Sequence, residues 1–167
     1  MKKIALTQGK FAIVDDEDYE RLAVHSWCIF NSSNTQYAQR GHKAKGKCHT
    51  ILMHREILNA PNGMLVDHVN GNGLDNRRCN LRLATESQNH FNQRKQKKRT
   101  SSRYKGVYWH KRDNVWVVRI QTEGKGVYIG SFKNEQEAAL AYNEAALKYH
   151  GEYANLNEIE EEMNHGK

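Results

Sequence analysis

The sequence predicts an α+β fold in which short strands and helices form two small units joined by a basic stretch. Three observations support this prediction. Short runs rich in β-branched and aromatic residues alternate with turn residues, as strands do. Thr85 and Asn134 each precede a helical pattern and are residue types that cap helices. Residues 94–103 contain no apolar side chain, so they cannot contribute to a core and should be exposed.

The composition is that of a basic globular chain. Of its 167 residues 38% are hydrophobic, and the formal net charge is +7. This charge favours a polyanionic partner such as nucleic acid, although a solvated basic surface would give the same value. No apolar run approaches the roughly 20 residues that cross a bilayer, so we expect no membrane association. Cys28, Cys48 and Cys79 form no CxxC pair, which predicts reduced thiols in a cytoplasmic protein.

Residues 1–60 are predicted to alternate strands and short helices. The strand-like runs are Lys10–Val14, Trp27–Phe30 and Gln36–Ala38, and the helical runs are Asp15–Leu22 and Met53–Leu58. The next part, up to Gln93, is predicted to run strand, loop, strand, helix. Its polar, glycine-rich loop covers residues 70–76, and Gln88 completes a capping box with Thr85, so a helix should start there.

Four polar residues lie at informative places in this second part. Asp67 and His68 end its first strand, Asn80 precedes its second strand, and Asn89 lies one turn into its helix. A nuclease needs a base to activate water and a divalent cation to stabilise charge on the phosphate. Histidine suits the first task, and carboxylate and amide oxygens suit Mg²⁺. Each residue alone has an ordinary explanation as a loop or helix residue, so the prediction depends on their joint spacing.

Residues 66–82, which read VDHVNGNGLDNRRCNLR, resemble the HNH motif of phage and intron homing endonucleases. The resemblance implies a ββα-metal finger with His68 as general base. Asp67 and Asn89 would be the ligands of one divalent cation, Mg²⁺ or Mn²⁺. Asn80 would hold the loop through backbone hydrogen bonds and so orient His68. The last family position is often histidine, which leaves the neighbouring His90 as an alternative ligand.

Upstream of the motif, His54 and Arg55 resemble the His-Arg pair that precedes it in the same group of endonucleases. The sequence suggests no role for either residue.

The third part is predicted to be three strands followed by one helix. The strands are Tyr104–Trp109, Val115–Gln121 and Gly126–Phe132, and the helix runs from a cap at Asn134 to a terminator at Gly151. Its many alanines would let this helix lie close against the sheet. Trp109 and Trp116 are interpreted as core residues rather than contacts, because so small a domain needs such anchors.

Residues 101–157 resemble the plant ethylene-response-factor DNA-binding domain of the APETALA type, which is also found fused to phage HNH endonucleases. In that family a three-stranded sheet lies in the major groove. Arg119 and Gln121 are the strongest candidate base readers, because arginine and glutamine can each pair bidentately with a base edge. The residues carried over as DNA contacts are Lys105, Tyr108, His110, Arg119, Gln121 and Tyr128.

The basic stretch is expected to track phosphates, which would fix position but not sequence; its alternative is an ordinary solvated linker. Its candidate contacts are Arg94, Lys95, Lys97, Lys98, Arg99 and Arg103. The acidic run Glu158–Glu162 is unfavourable next to DNA and should point away from it.

The predicted organisation is an N-terminal α+β region with the nuclease motif (1–93, motif core 50–93), a basic linker (94–102), a DNA-binding domain (103–157) and an acidic tail (158–167). The predicted function is a metal-dependent endonuclease that hydrolyses phosphodiester bonds at a site selected by the C-terminal domain. Its partner would be double-stranded DNA, with no membrane and no obligate protein partner, in the cytoplasm of a bacterial cell hosting a phage or mobile element. The alternatives are a DNA-binding protein with a silent HNH centre and an RNA-binding module.

Overall fold

The computed structural model describes residues 1–32, 35–44, 46–95, 100–122 and 124–159. The chain divides into two compact units, residues 1–89 and 90–167. Each unit has its own cluster of buried hydrophobic side chains. The elements are short helices and small antiparallel sheets, so the predicted α+β class is confirmed. Within the described ranges, no helix is both long and apolar enough to span a bilayer.

The first unit contains three small antiparallel sheets, formed by β1–β2, by β3–β4–β5 and by β6–β7. Its elements are β1 (Lys2–Ala5), β2 (Phe11–Val14), α1 (Asp16–Ala23), β3 (Cys28–Asn31), β4 (Gln36–Ala44), β5 (Lys47–Leu52), α2 (Met53–Leu58), β6 (Leu65–His68), β7 (Leu81–Ala84) and α3 (Glu86–Asn92). The last of these helices crosses the division between the two units.

The core of the first unit gathers side chains from most of its elements. Leu22 of α1 and Met53 of α2 are fully buried, and Trp27 is 3% exposed with its indole N–H donating to the Leu22 carbonyl at 2.9 Å. The Arg55 guanidinium donates to the carbonyls of Ala60, Pro61 and Met64, which fixes the turn before β6. Burial and these hydrogen bonds hold the strand that ends in His68.

The hairpin β4–β5 is longer than the sequence predicts. The expected strand Gln36–Ala38 extends to Ala44, and β5 was not predicted at all. Its sequence, KCHTIL, is largely polar and exposed, so it lacks the alternation that reveals a half-buried strand. Pairing with β4, rather than burial, defines this strand.

The strand, loop, strand and helix order predicted around the nuclease motif is present. β6 and β7 pair with Asp67 opposite Arg82 and His68 opposite Leu81. The Thr85 N–H donates to Gln88 Oε1 at 2.8 Å, and the Gln88 N–H donates to Thr85 Oγ1 at 3.2 Å. This reciprocal pair is the predicted capping box, and it starts α3.

The second unit is a three-stranded antiparallel sheet with one helix packed on it. Its elements are β8 (Val107–His110), β9 (Val115–Gln121), β10 (Gly126–Phe132) and α4 (Glu135–His150), and β9 is the central strand. Asn134 Oδ1 accepts hydrogen bonds from the N–H groups of Gln136 and Glu137, which is the predicted cap. Four alanines of α4 are buried against the sheet, namely Ala138, Ala139, Ala145 and Ala146.

The first strand of this sheet starts later than predicted, at Val107 instead of Tyr104. Gly106 has φ +75°, a left-handed conformation that interrupts an extended strand. Lys105, which precedes this strand, forms its backbone hydrogen bonds with the side chain of Asn157. Asn157 Oδ1 accepts from the Lys105 N–H at 2.6 Å, and Asn157 Nδ2 donates to the Lys105 carbonyl at 3.1 Å. The end of the domain is therefore clamped onto its beginning.

Candidate active site and DNA-binding face

His68 is the last residue of β6 and is 5% exposed. Its Nε2 lies 3.3 Å from Oδ1 of Asn76, which is fully buried in the loop. An amide oxygen only accepts, so Nε2 must carry the ring proton for this contact to be a hydrogen bond. Nδ1 is then the nitrogen with the lone pair. The loop thus selects the tautomer of His68, although Asn76 was given no role from the sequence.

The His68 ring is also enclosed by two aromatic neighbours. The ring centroid of His54, from α2, lies 5.1 Å away in an edge-to-face contact. The Tyr37 ring, from β4, lies 5.7 Å from His68 and 5.1 Å from His54. β4 and α2, which are distant from β6 in the sequence, therefore both contact the His68 imidazole.

Asn80 organises the loop between β6 and β7. Its side-chain oxygen accepts from the Asn70 N–H at 3.0 Å, and its side-chain nitrogen donates to the Asp75 carbonyl at 2.8 Å. Both are backbone hydrogen bonds of the kind that the HNH resemblance implies. The Asp75 carboxylate accepts from Asn70 Nδ2 and from the Arg77 guanidinium, which closes the loop further.

The two predicted metal ligands lie on different elements. Asp67, on β6, is 5% exposed, and its Oδ2 lies 2.7 Å from Nη2 of Arg82 on β7. Asn89, on α3, is half-buried, whereas the neighbouring His90 is exposed. Arg82 was not predicted as a partner of Asp67. In the β6–β7 hairpin Leu65 pairs with Ala84, so Asp67 and Arg82 lie opposite each other.

The donor chemistry of Asp67 and Asn89 fits a hard divalent cation. One carboxylate and one amide oxygen are ligands that Mg²⁺ and Mn²⁺ accept, with water and phosphate oxygens completing the coordination. Among the residues that the structure describes, no group of three or more His, Cys, Asp or Glu side chains could hold a metal. A divalent cation held by Asp67 and Asn89 alone would need further oxygen ligands from water or phosphate.

The electrostatics of the site keep its histidines neutral. Burial, followed by the neighbouring His68 and Arg55, lowers the pKa of His54 from 6.5 to about 3. Burial also lowers the pKa of His68, opposed by the Asn76 hydrogen bond and by the charges of Asp67 and Asp75. Burial and the Asp67 charge raise the pKa of Tyr37. A neutral His68 is the protonation state that a general base requires.

The low pKa of His54 predicts a pH-dependent stability of the first unit. Below about pH 6.5 the unfolded chain binds a proton at this histidine that the folded chain cannot bind, so stability falls as the pH falls towards 3. Between pH 7 and pH 5, wild type should lose about 2 kcal/mol more free energy of unfolding than His54→Phe. Hydrogen exchange resolved over residues 1–89 measures this. Equal pH dependence of the two proteins would contradict the assignment.

The predicted DNA-binding residues of the sheet share one face. Alternation along β8 and β9 puts Tyr108 and His110 together with Arg119 and Gln121, and the register places Tyr128 opposite Arg119. Tyr108, Arg119, Gln121 and Tyr128 are exposed, and His110 is half-buried beside Asp113. Trp116 lies on the other face, packed with the core beneath α4, and the ring of Trp109 contacts it edge-on at 5.0 Å.

The basic residues around the linker differ from the prediction in their placement. The Lys105 ammonium donates to the carbonyls of Phe91 and Gln93, both at 2.6 Å, at the C-terminal end of α3. Its burial lowers its pKa to about 8. Lys105 therefore stabilises the end of a helix, where cations are favourable, instead of lying on the exposed face of the sheet.

Two other basic candidates of this region make local contacts. The Lys95 ammonium donates to the Tyr104 carbonyl at 2.6 Å, and the Arg103 guanidinium donates to the Tyr104 hydroxyl at 2.9 Å. Arg94 is exposed. Lys97, Lys98 and Arg99, and most of the acidic tail, lie outside the described residues.

Comparison with known proteins identifies both parts of the chain. The family model of the HNH endonuclease matches residues 59–91, and that of the AP2 domain matches residues 102–152. An uncharacterized HNH endonuclease of Acanthamoeba polyphaga mimivirus is 30% identical over 154 residues, which are 92% of this chain and 78% of the viral protein.

Two further relatives match parts of the chain. Protein 3.8 of Escherichia phage T7 is 33% identical over 94 residues, which are 56% of this chain and 76% of the phage protein. APETALA2-like protein 2 of Oryza sativa subsp. indica is 42% identical over 57 residues, which are 34% of this chain and 13% of the rice protein. With the HNH motif followed by an AP2 domain, and with a viral relative aligned over most of both lengths, this chain belongs to the HNH endonuclease family.

Proposed function

We propose that the protein is a metal-dependent, homing-type DNA endonuclease that hydrolyses a phosphodiester bond at a site selected by its AP2 domain. The observation that carries this proposal is the environment of His68. A buried loop asparagine orients its ring, burial keeps it neutral, and the predicted metal ligand Asp67 is the adjacent residue. The viral relatives suggest the cytoplasm of an infected host cell as the setting.

In the proposed reaction, His68 Nδ1 takes a proton from a water molecule as that water attacks phosphorus. One P–O bond forms and another breaks, and the leaving oxygen takes a proton from solvent. Asn76 and Asn80 keep the imidazole and its loop in place, so the lone pair does not have to be reoriented during reaction. His54 and Tyr37 exclude water from two sides of the ring.

We assign Asp67 and Asn89 as the residues that would hold Mg²⁺ or Mn²⁺. When bound there, the cation would stabilise negative charge on the phosphate and the leaving oxygen. Asn89 is preferred to His90 because its side chain is half-buried whereas that of His90 is exposed, and adjacent helical residues point in different directions. Arg82 neutralises Asp67 until a cation or a phosphate enters the site.

The AP2 sheet is proposed as the element that selects the site. Its exposed face carries side chains that suit base edges and phosphates, and a β-sheet can read a groove. Arg119 lies on the central strand beside Tyr128, so it is the proposed main base contact. The face is exposed without any rearrangement, as a preformed DNA reader should be.

The decisive experiment is cleavage of supercoiled plasmid by the full-length chain with Mg²⁺, with Mn²⁺ and with EDTA. We expect nicking or linearisation with either metal and none with EDTA. Asn89→Ala should raise the Mg²⁺ concentration needed for half-maximal cleavage by at least about tenfold, and His90→Ala should leave it unchanged. If His90→Ala raises the required Mg²⁺ concentration and Asn89→Ala leaves it unchanged, His90 is the ligand instead of Asn89.

One observation favours a second candidate, a DNA-binding protein with a silent nuclease centre. The Asp67 carboxylate is already paired with Arg82, an arrangement that also occurs in purely structural ion pairs. If well-folded wild type binds duplex DNA but cleaves none with any divalent metal, this second function is the correct one.

A further inference from the structure

His54 of α2 is a buried polar side chain with an unused hydrogen-bonding atom. The residue is 5% exposed. Its Nδ1 is shielded from solvent and has no hydrogen-bond partner among the residues that the structure describes. Buried polar groups of proteins are nearly always hydrogen-bonded, and each exception calls for an explanation. Phenylalanine would fill the same space without the cost of burying an unpaired ring nitrogen, so the presence of this nitrogen points to a ligand.

The ring of His54 is held against the proposed general base. Its centroid lies 5.1 Å from that of His68, with the two ring planes at 88°. Met53 and Ile57 of the same helix are buried in the core. The next residue, Arg55, donates to three backbone carbonyls. The backbone of α2 is therefore fixed on both sides of His54, and the ring stays beside His68.

The protonation state of His54 determines what its ring can bind. Burial, followed by the neighbouring His68 and Arg55, lowers its pKa to about 3, so the ring is neutral. A neutral imidazole has one N–H donor and one acceptor nitrogen. A preorganised donor in a site screened from water stabilises negative charge that develops on an oxygen, even when the donor itself carries no charge.

The distances in the site allow a phosphate to reach His54. A water molecule that donates to Nδ1 of His68 lies about 2.8 Å from that nitrogen. The phosphorus that it attacks lies about 3–3.5 Å further on. The non-bridging phosphate oxygens are then as far from His68 as a neighbouring ring at 5.1 Å can contact.

We propose that His54 is a further catalytic residue, whose Nδ1–H donates a hydrogen bond to a non-bridging oxygen of the scissile phosphate. The inference deepens the proposed function and rests on it for the reaction. His54 keeps its proton throughout, so it is neither the base nor the acid. It stabilises the negative charge that the phosphate oxygen gains as water attacks. His68 thus acts on the water, and His54 acts on the phosphate.

The alternative is that His54 only packs against His68 and Tyr37. A packing role needs a flat ring but neither of its nitrogens, so His54→Phe would then cleave at the wild-type rate. Variants that keep the position of one nitrogen at a time therefore separate the two roles.

The test measures single-turnover cleavage by the full-length chain for His54→Phe, His54→Asn and His54→Gln. The amide nitrogen of asparagine can take the place of Nδ1, whereas that of glutamine corresponds to Nε2. Loss of one preorganised donor should slow cleavage by His54→Phe about 10²-fold. His54→Asn should recover about tenfold of that loss, and His54→Gln should recover none. Melting temperatures and binding to duplex DNA in EDTA should stay at the wild-type values.

A phosphorothioate at the cut position gives a readout that a packing role would not change. Sulfur accepts hydrogen bonds more weakly than oxygen, so wild type should cut one diastereomer slowly with Mn²⁺ as well as with Mg²⁺. His54→Phe has already lost this hydrogen bond and should show no such extra loss, which is the non-additivity expected of groups in contact. The proposal is overturned if folded His54→Phe cuts at the wild-type rate, if its thio effects equal those of wild type, or if His54→Gln recovers activity and His54→Asn does not.

A measurement without cleavage separates this proposal from the proposed function. Nitrogen NMR of protein with isotope-labelled histidine, in EDTA, follows the Nδ1 signal of His54 as a short DNA duplex is added. We expect a protonated Nδ1 whose signal shifts on binding. A shift in a protein that cuts no plasmid would support the phosphate contact and refute the nuclease. An unchanged signal in an active nuclease would refute the contact and leave the nuclease standing.

Discussion

Replacing His68 with alanine is expected to slow plasmid cleavage by about 10²- to 10⁴-fold, which is the usual contribution of a positioned general base. The reason is specific to this ring. The Nε2–H donates to Asn76, so Nδ1 carries the lone pair that accepts the proton of water, and His54 cannot take over this role. His54 is buried, and its pKa near 3 makes it a very weak base. DNA binding should be unaffected, because His68 contributes no charge at neutral pH.

The measurement is single-turnover cleavage with saturating Mg²⁺, beside DNA binding in EDTA. His25→Ala is the matched control, since His25 belongs to the same unit but contacts Trp27 rather than the site. Because His68 is buried, His68→Gln serves as a second variant that preserves polarity, and the melting temperatures of both are compared with that of wild type. Cleavage within a few-fold of wild type by a folded His68→Gln would exclude His68 as the base.

The parts of the structure that the sequence could predict are those governed by local chemistry. Thr85 and Gln88 form a capping box that needs only a spacing of three residues, and Asn134 caps α4 for the same reason. Tyr108 and Arg119, which the resemblance gave as DNA contacts, lie on one exposed face because side chains alternate along a strand. These features depend only on residues that are close in the sequence, so they can be predicted from a single sequence.

The parts that could not be predicted depend on contacts between distant segments. Tyr37 and His54 reach His68 from 31 and 14 residues away, on separate elements, so no periodicity within one element could reveal these contacts. A buried polar residue such as Asn76 looks like any turn asparagine until its hydrogen bond to the imidazole is known. Lys105 was assigned as a DNA contact by carry-over from the APETALA-type resemblance, which cannot show the partners of its side chain. Its two carbonyl partners, Phe91 and Gln93, lie at the C-terminal end of α3, outside the AP2 match.

A second large effect is expected from Gly106→Ala, which should unfold the AP2 unit and leave the nuclease unit folded. Gly106 has φ +75°, and an added methyl group would overlap the ring of Tyr142 and lie 2.8 Å from the Arg119 carbonyl oxygen. Tyr142 is 2% exposed and packs within the core, so it has no room to move. Left-handed strain of about 1–2 kcal/mol and overpacking of about 1–3 kcal/mol together approach the whole stability of a small domain.

Gly124→Ala is the matched control, because Gly124 has φ +74° in the same unit but nothing within 4 Å of the added methyl group. It should cost the conformational strain alone, about 1–2 kcal/mol, and keep the unit folded. Mapping of cut sites on phage-sized DNA then separates the roles of the two units. Wild type and Gly124→Ala should share a preferred site, whereas Gly106→Ala should cut with the same metal dependence at scattered positions. If Gly106→Ala loses the fold of its AP2 unit and still cuts the same site, selection belongs to the nuclease unit.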